Sequence, residues 1–189
     1  MNQQDFLQEC SKSHLEVLAA LGYFRGVVQE RCDHIVDKHI AVLAGILGVK
    51  VDDLKWSPYA DPDKPSPVGV ENASLGWKAK RQEDLYLYFT VNWDSGADQG
   101  ESPLNVLVDF WLKDKEKATS LAARLDDLCN DPAFADQPWE FGSDSHTLSF
   151  WMDFDQSEFL RFDEKLDQLL AFVIPFLKSV KGIQKYFLP

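Results

Sequence analysis

The sequence predicts an α+β domain, and three observations carry that expectation. Apolar residues recur at helical spacing through the first fifty positions, they alternate strictly in three later runs, and helical spacing returns at the end. The order read along the chain is α-α-β-β-β-α-β-β-α. Segregated helices and strands of this kind build an antiparallel sheet with a helical layer. The expected architecture is an N-terminal helical hairpin, an antiparallel sheet of about four to five strands with a crossover helix, and a C-terminal helix packed on the sheet.

Over residues 4–22, Phe6, Leu7, Cys10, His14, Leu15, Leu18 and Leu21 follow the helical period, with a break at Gly22. A second helix is expected from Tyr23 to Leu47. Val27, Val28, Cys32, Ile35, Val36, His39, Ile40, Leu43 and Ile46 form its broad apolar stripe, and Gly48 is placed to cap its C-terminus. Residues 51–73 read as a proline-rich connector. Pro58, Pro62, Pro65 and Pro67 remove amide donors and exclude a helix or a central strand.

The period then becomes two. Leu85, Leu87, Phe89, Val91 and Trp93 share one face of a strand; Leu104, Val106, Val108, Phe110 and Leu112 share another; Leu148, Phe150, Met152 and Phe154 share a third. Leu75, Trp77 and Ala79 extend the sheet before a turn at 82–84. Trp139 and Phe141 are expected to pair with 147–155 across a turn at 142–145. Between strands, 114–129 is helix-forming, with Leu121, Leu125 and Leu128 facing inward. The last helix is expected over 157–180, with Phe159, Leu160, Phe162, Leu166, Leu169, Leu170, Val173 and Phe176 buried and a kink at Pro175. The whole chain, 1–189, is expected to form one domain: hairpin 1–50, connector 51–73, and sheet plus two helices 74–189.

The net charge of −12 is uneven. Residues 1–82 hold 11 acids against 10 bases, residues 83–163 hold 18 against 5, and residues 164–189 hold two against four. Such a field repels phosphates, so direct nucleic-acid binding is disfavoured and a basic protein partner is favoured. No apolar run reaches the roughly 20 residues of a membrane span. The start MNQQDFLQEC lacks the basic and apolar regions of a secretory leader, and Cys10, Cys32 and Cys129 lack framework spacing. A cytoplasmic setting with reduced thiols is therefore expected.

Catalytic signatures are missing. Neither a GxSxG elbow nor a glycine-rich phosphate loop occurs, so neither nucleophile nor nucleotide chemistry of those types is indicated. His34, Asp37 and His39 share a helix without the four-residue spacing of a zinc pair. A cluster of Cys10, His14, Cys32 and His34 would need the hairpin to close on them. Asp109 and Lys113 have the wrong parity for a metal-dependent nuclease. No cofactor, metal or catalytic residue is expected.

What remains is the second face of the sheet. Opposite the apolar side, the strands present Tyr86, Tyr88, Thr90 and Asn92, then Asn105, Leu107, Asp109 and Trp111, then Ser149, Trp151, Asp153 and Asp155. Aromatic bodies with polar tips suit interfaces, and carboxylates beside them suit Lys or Arg. Tyr86, Tyr88, Asp109, Trp111, Trp151 and Asp153 are the candidate binding residues. This face is either the seat of the N-terminal helices or an exposed binding surface. The leading expectation is a non-enzymatic interaction or regulatory domain (inhibitor, immunity or adaptor type). The alternatives are a small-molecule binder or enzyme with a pocket between hairpin and sheet, and a DNA-mimic inhibitor using Asp98, Glu101, Asp126, Asp127, Asp131 and Asp136.

Overall fold

The computed structural model describes residues 23, 26–28, 30–51, 55–59, 73–81, 84–93, 104–134 and 137–188. Within them the chain is α+β, with helices gathered on one side of an antiparallel sheet. The first helix proposed over 4–22 lies outside the described residues. The second is observed as α1, helical through 30–47.

Helix α1 ends where its sequence says it must. Gly48 takes φ 71, its amide donates to Gly45 O, and the Val49 amide donates to Ala44 O at 2.9 Å. This six-to-one and five-to-two pairing satisfies two carbonyls that the helix leaves orphaned, and it brings buried Val49 over buried Ala44.

The sheet has the order β1-β2-β3-β4-β6-β5. Its strands are β1 (Lys55–Tyr59), β2 (Ala73–Arg81), β3 (Leu85–Trp93), β4 (Leu104–Leu112), β5 (Glu140–Ser143) and β6 (Thr147–Phe154). Six strands replace the expected four to five. The extra one is β1, inside the stretch expected to be an irregular connector. Pro58 is tolerated there because β1 is an edge strand, where one side of the backbone needs no partner.

The register explains the inner face. Leu87 pairs with Phe110, Phe89 with Val108 and Val91 with Val106; Val108 then pairs with Phe150 and Phe110 with Leu148. Every one of these is essentially inaccessible to water. Alternation in three separate strands thus becomes one continuous apolar sheet surface, each side chain contributing roughly 1.5–3 kcal/mol by burial.

Helices α2 (Lys115–Cys129) and α3 (Phe162–Ser179) cover that surface. Asp114 caps α2 by accepting the Lys117 amide at 3.0 Å, and Leu121 and Leu125 face inward. Residues Gln156–Arg161 form a 3-10 turn, so the last long helix starts at Phe162 and not near 157. The tighter turn rotates Leu160 out of the expected stripe, and it is 73% exposed. Helix α3 runs on through Pro175, whose side chain is exposed. A short α4 (Gln184–Phe187) follows.

Helix α1 lies beside α3. Arg31 grips Asp163 through Nε (3.0 Å) and Nη2 (2.5 Å) and also donates to Leu160 O. Two turns on along α1 and one turn on along α3, Lys38 Nζ and His39 Nε2 both donate to Asp167. Val28, Cys32, Val36, Ile40, Leu43 and Leu47 join one core with α3 and the inner sheet face. The outer face, considered as a seat for the hairpin, does not receive its described helix.

Candidate functional site

The outer face is built by the same registers at alternate positions. Trp111 stands between Tyr86 and Thr147; Asp109 between Tyr88 and Ser149; Leu107 between Thr90 and Trp151; Asn105 between Asn92 and Asp153. Strand β5 adds Gly142 beside Ser149 and Glu140 beside Trp151. On the other flank, β2 sets Lys78 opposite Tyr88 and Lys80 opposite Tyr86. All six expected residues therefore share one face. Tyr86, Tyr88, Asp109, Trp111 and Trp151 are half-buried there, and Asp153 is exposed at the rim.

Their aromatic rings form a ladder. His146 stacks on Trp111 with centroids 5.6 Å apart, Trp111 meets Tyr86 edge-on at 5.0 Å, and Tyr86 lies parallel to Tyr88 at 6.1 Å. Pairs of this geometry contribute about 0.5–1.5 kcal/mol beyond burial, and they hold the rings in fixed orientations.

The β5–β6 turn positions His146. The Asp144 carboxylate accepts the His146 and Thr147 amides, each at 2.7 Å, and the His146 ring Nδ1 lies 2.9 Å from Leu112 O. The amide of His146, followed by that of Thr147, holds the Asp144 carboxyl below its usual range despite some burial. His146 itself lies in that turn. Its place on Trp111 depends on pairing between residues 35 positions apart, which local sequence does not reveal.

Asp109 is the electrostatic centre. Burial pushes its carboxyl up to about 6, although the Ser149 hydroxyl donates to it, and the charge of Asp144 adds to the rise. Its Oδ1 is buried with no hydrogen-bond partner among the described residues. Asn105 Oδ1, four residues earlier on the same face, is in the same condition. Both orphans are acceptors. Buried acceptors left unmatched cost roughly 1–3 kcal/mol each.

Trp151 lies over Gly142, with its six-membered ring filling the space a side chain would occupy. This glycine and Glu140 belong to the site and were not expected on it, whereas Ser149 was already placed on this face. The parity of the short run PWEFGS is too brief to orient it alone.

Of the hairpin expected to close a pocket here, the described helix α1 lies along α3, and residues 4–22 lie outside the described residues. Of the acids considered for nucleic-acid mimicry, Asp126, Asp127 and Asp131 sit exposed at the end of α2, in the helical layer; Asp98, Glu101 and Asp136 lie outside the described residues. Among the described residues, no group of three His, Cys, Asp or Glu side chains could hold a metal ion. No described helix is long and apolar enough to cross a membrane.

Compared with known proteins, the chain matches no family model, no curated protein and no solved structure.

Proposed function

We propose that the chain is a non-enzymatic interaction domain whose outer sheet face receives a cationic side chain of a basic protein partner, as an inhibitor, immunity or adaptor protein would. The observation that supports this reading is the buried, unmatched Oδ1 of Asp109 in the middle of a half-exposed aromatic ladder. A guanidinium or ammonium supplies the missing donor, and Tyr88, Trp111 and Trp151 offer it ring faces. Cation–π contacts reach about 2 kcal/mol when desolvated, and hydrogen bonds to charged groups about 1.5–3 kcal/mol. The flank of β6 and β5, with exposed Asp153 and Glu140, favours approach from that side, away from the Lys78 and Lys80 positions on β2.

The test is titration of the full chain with short arginine-bearing and norleucine-bearing peptides, followed by tryptophan fluorescence. The arginine peptide should bind saturably, more tightly at pH 7.5 than at pH 5, and Asp109→Asn should weaken it at least tenfold. Equal affinity for both peptides, or no effect of Asp109→Asn, overturns the reading.

A further inference from the structure

The acids of this chain leave two long gaps. Positions 38–51 and 168–189 contain no Asp or Glu, in a sequence that carries 31 of them. The fold brings these two stretches together. The end of α1 and the turn between α3 and α4 line a shallow, open groove of about 430 Å3.

Its chemistry is amphiphilic. Ile46, Val180 and Ile183 supply an apolar floor and Val42, 42% exposed, an apolar lip. Lys178 and Lys181 stand exposed at its rim, and none of the lining residues is acidic. Elsewhere on α3, Lys165 pairs with Glu158 of the preceding 3-10 turn. These two lysines have no such partner lining the groove with them.

Gly45 adds an independent observation. It lies in helical backbone, where glycine is less favourable than alanine, and it lines the groove. A Cβ built there would meet no atom within 4 Å. Packing among the described residues therefore does not call for a glycine at 45. A ligand lying directly on the helix backbone would.

We propose that this groove binds a singly charged aliphatic carboxylate, with its chain on Gly45 and Ile46 and its carboxylate between Lys178 and Lys181. The proposal is independent of the outer-face reading, since the two sites share no residue.

Sodium octanoate, kept below its micelle concentration, is the probe, and amide NMR of the full chain is the readout. The amides of Gly45, Gly182 and Ile183 should shift saturably. Octanol and acetate should each bind at least tenfold more weakly, since each lacks one half of the chemistry. Exchanging both lysines (Lys178→Gln with Lys181→Gln) should weaken octanoate about tenfold, as expected for exposed charge contacts. Gly45→Leu, which favours the helix and fills the groove, should abolish binding while the protein stays folded. Octanol or acetate matching octanoate, undiminished shifts in folded Gly45→Leu, or a response to anionic vesicles alone would each overturn the proposal.

Discussion

The six-membered ring of Trp151 lies against Gly142 so closely that a Cβ at 142 would stand 3.0 Å from Cζ3 and 3.1 Å from Cη2. The two residues are on neighbouring strands, with Gly142 opposite Ser149. Gly142→Ala must therefore move the far edge of the indole by a few tenths of an ångström. Alanine also suits a strand better than glycine, so stability should change by less than about 1 kcal/mol. The Trp151 indole N–H resonance should nevertheless shift while the other tryptophans stay in place. An unmoved Trp151 resonance would show that the ring is not seated on the glycine.

Phe110 and Trp111 are adjacent in sequence and point to opposite sides of β4. Phe110 is 1% exposed and packs on Phe150 and Phe187, whereas Trp111 is half-buried between Tyr86 and His146. Phe110→Ala should cost about 3–5 kcal/mol, a large part of a domain's whole stability. Trp111→Ala should cost only about 1–2 kcal/mol, the loss of ring contacts and partial burial. Urea denaturation of both variants checks the difference, and equal costs would mean that the outer face is core.

Much of this arrangement is legible before folding, because it depends on periods that local sequence carries. Alternation through 85–91, 104–112 and 148–154 separates the inner from the outer residues, and Gly48 announces the end of α1. What is not legible depends on long-range pairing. Strand β6 inserts between β4 and β5, and this alone brings His146 to Trp111 and Ser149 to Asp109. Pro58 reads as a strand breaker, yet an edge position makes it harmless. The seat of α1 is likewise decided by partners 128–132 residues away, Asp163 and Asp167 on α3.

Gly48→Ala tests the cap. Residue 48 holds φ 71, and an added Cβ would stand 3.1 Å from Gln184 Cγ. A left-handed conformation costs an L-residue roughly 1–2 kcal/mol, and the contact with α4 adds crowding. A loss of about 1–2 kcal/mol in thermal or urea unfolding is expected, with increased hydrogen exchange at Val49, whose amide closes the cap.

Asp167 links α1 to α3. Burial alone would raise its carboxyl, but hydrogen bonds from His39 and Lys38 outweigh it and hold the group below the usual range. A depressed native value means that the stabilisation is present above the unfolded value near 4 and is lost as pH falls through the native one. Asp167→Asn should thus destabilise by about 0.5–1 kcal/mol at pH 7, reduced by solvent screening of a partly exposed pair. In strong acid the variant and the parent should unfold alike.

Asp109 reverses that sign. Its carboxyl is raised from 3.8 to about 6, with burial as the first cause. Between those values the native state keeps a proton that the unfolded state has lost, so its contribution to stability falls as pH rises. Above about pH 6 both states are ionised and the full burial penalty stands, on the order of 2–3 kcal/mol. Asn at 109 is neutral throughout. Asp109→Asn should therefore be more stable than the parent at pH 7.5, and the advantage should shrink through pH 6 and vanish near pH 4. Urea midpoints measured across that range decide the matter. A variant no more stable than the parent at pH 7.5 would mean that the Asp109 carboxylate is not under strain, and with it would go the reason to expect a cation there. The same residue that weakens the domain alone would strengthen it once a guanidinium arrives, because the bound cation favours the ionised form.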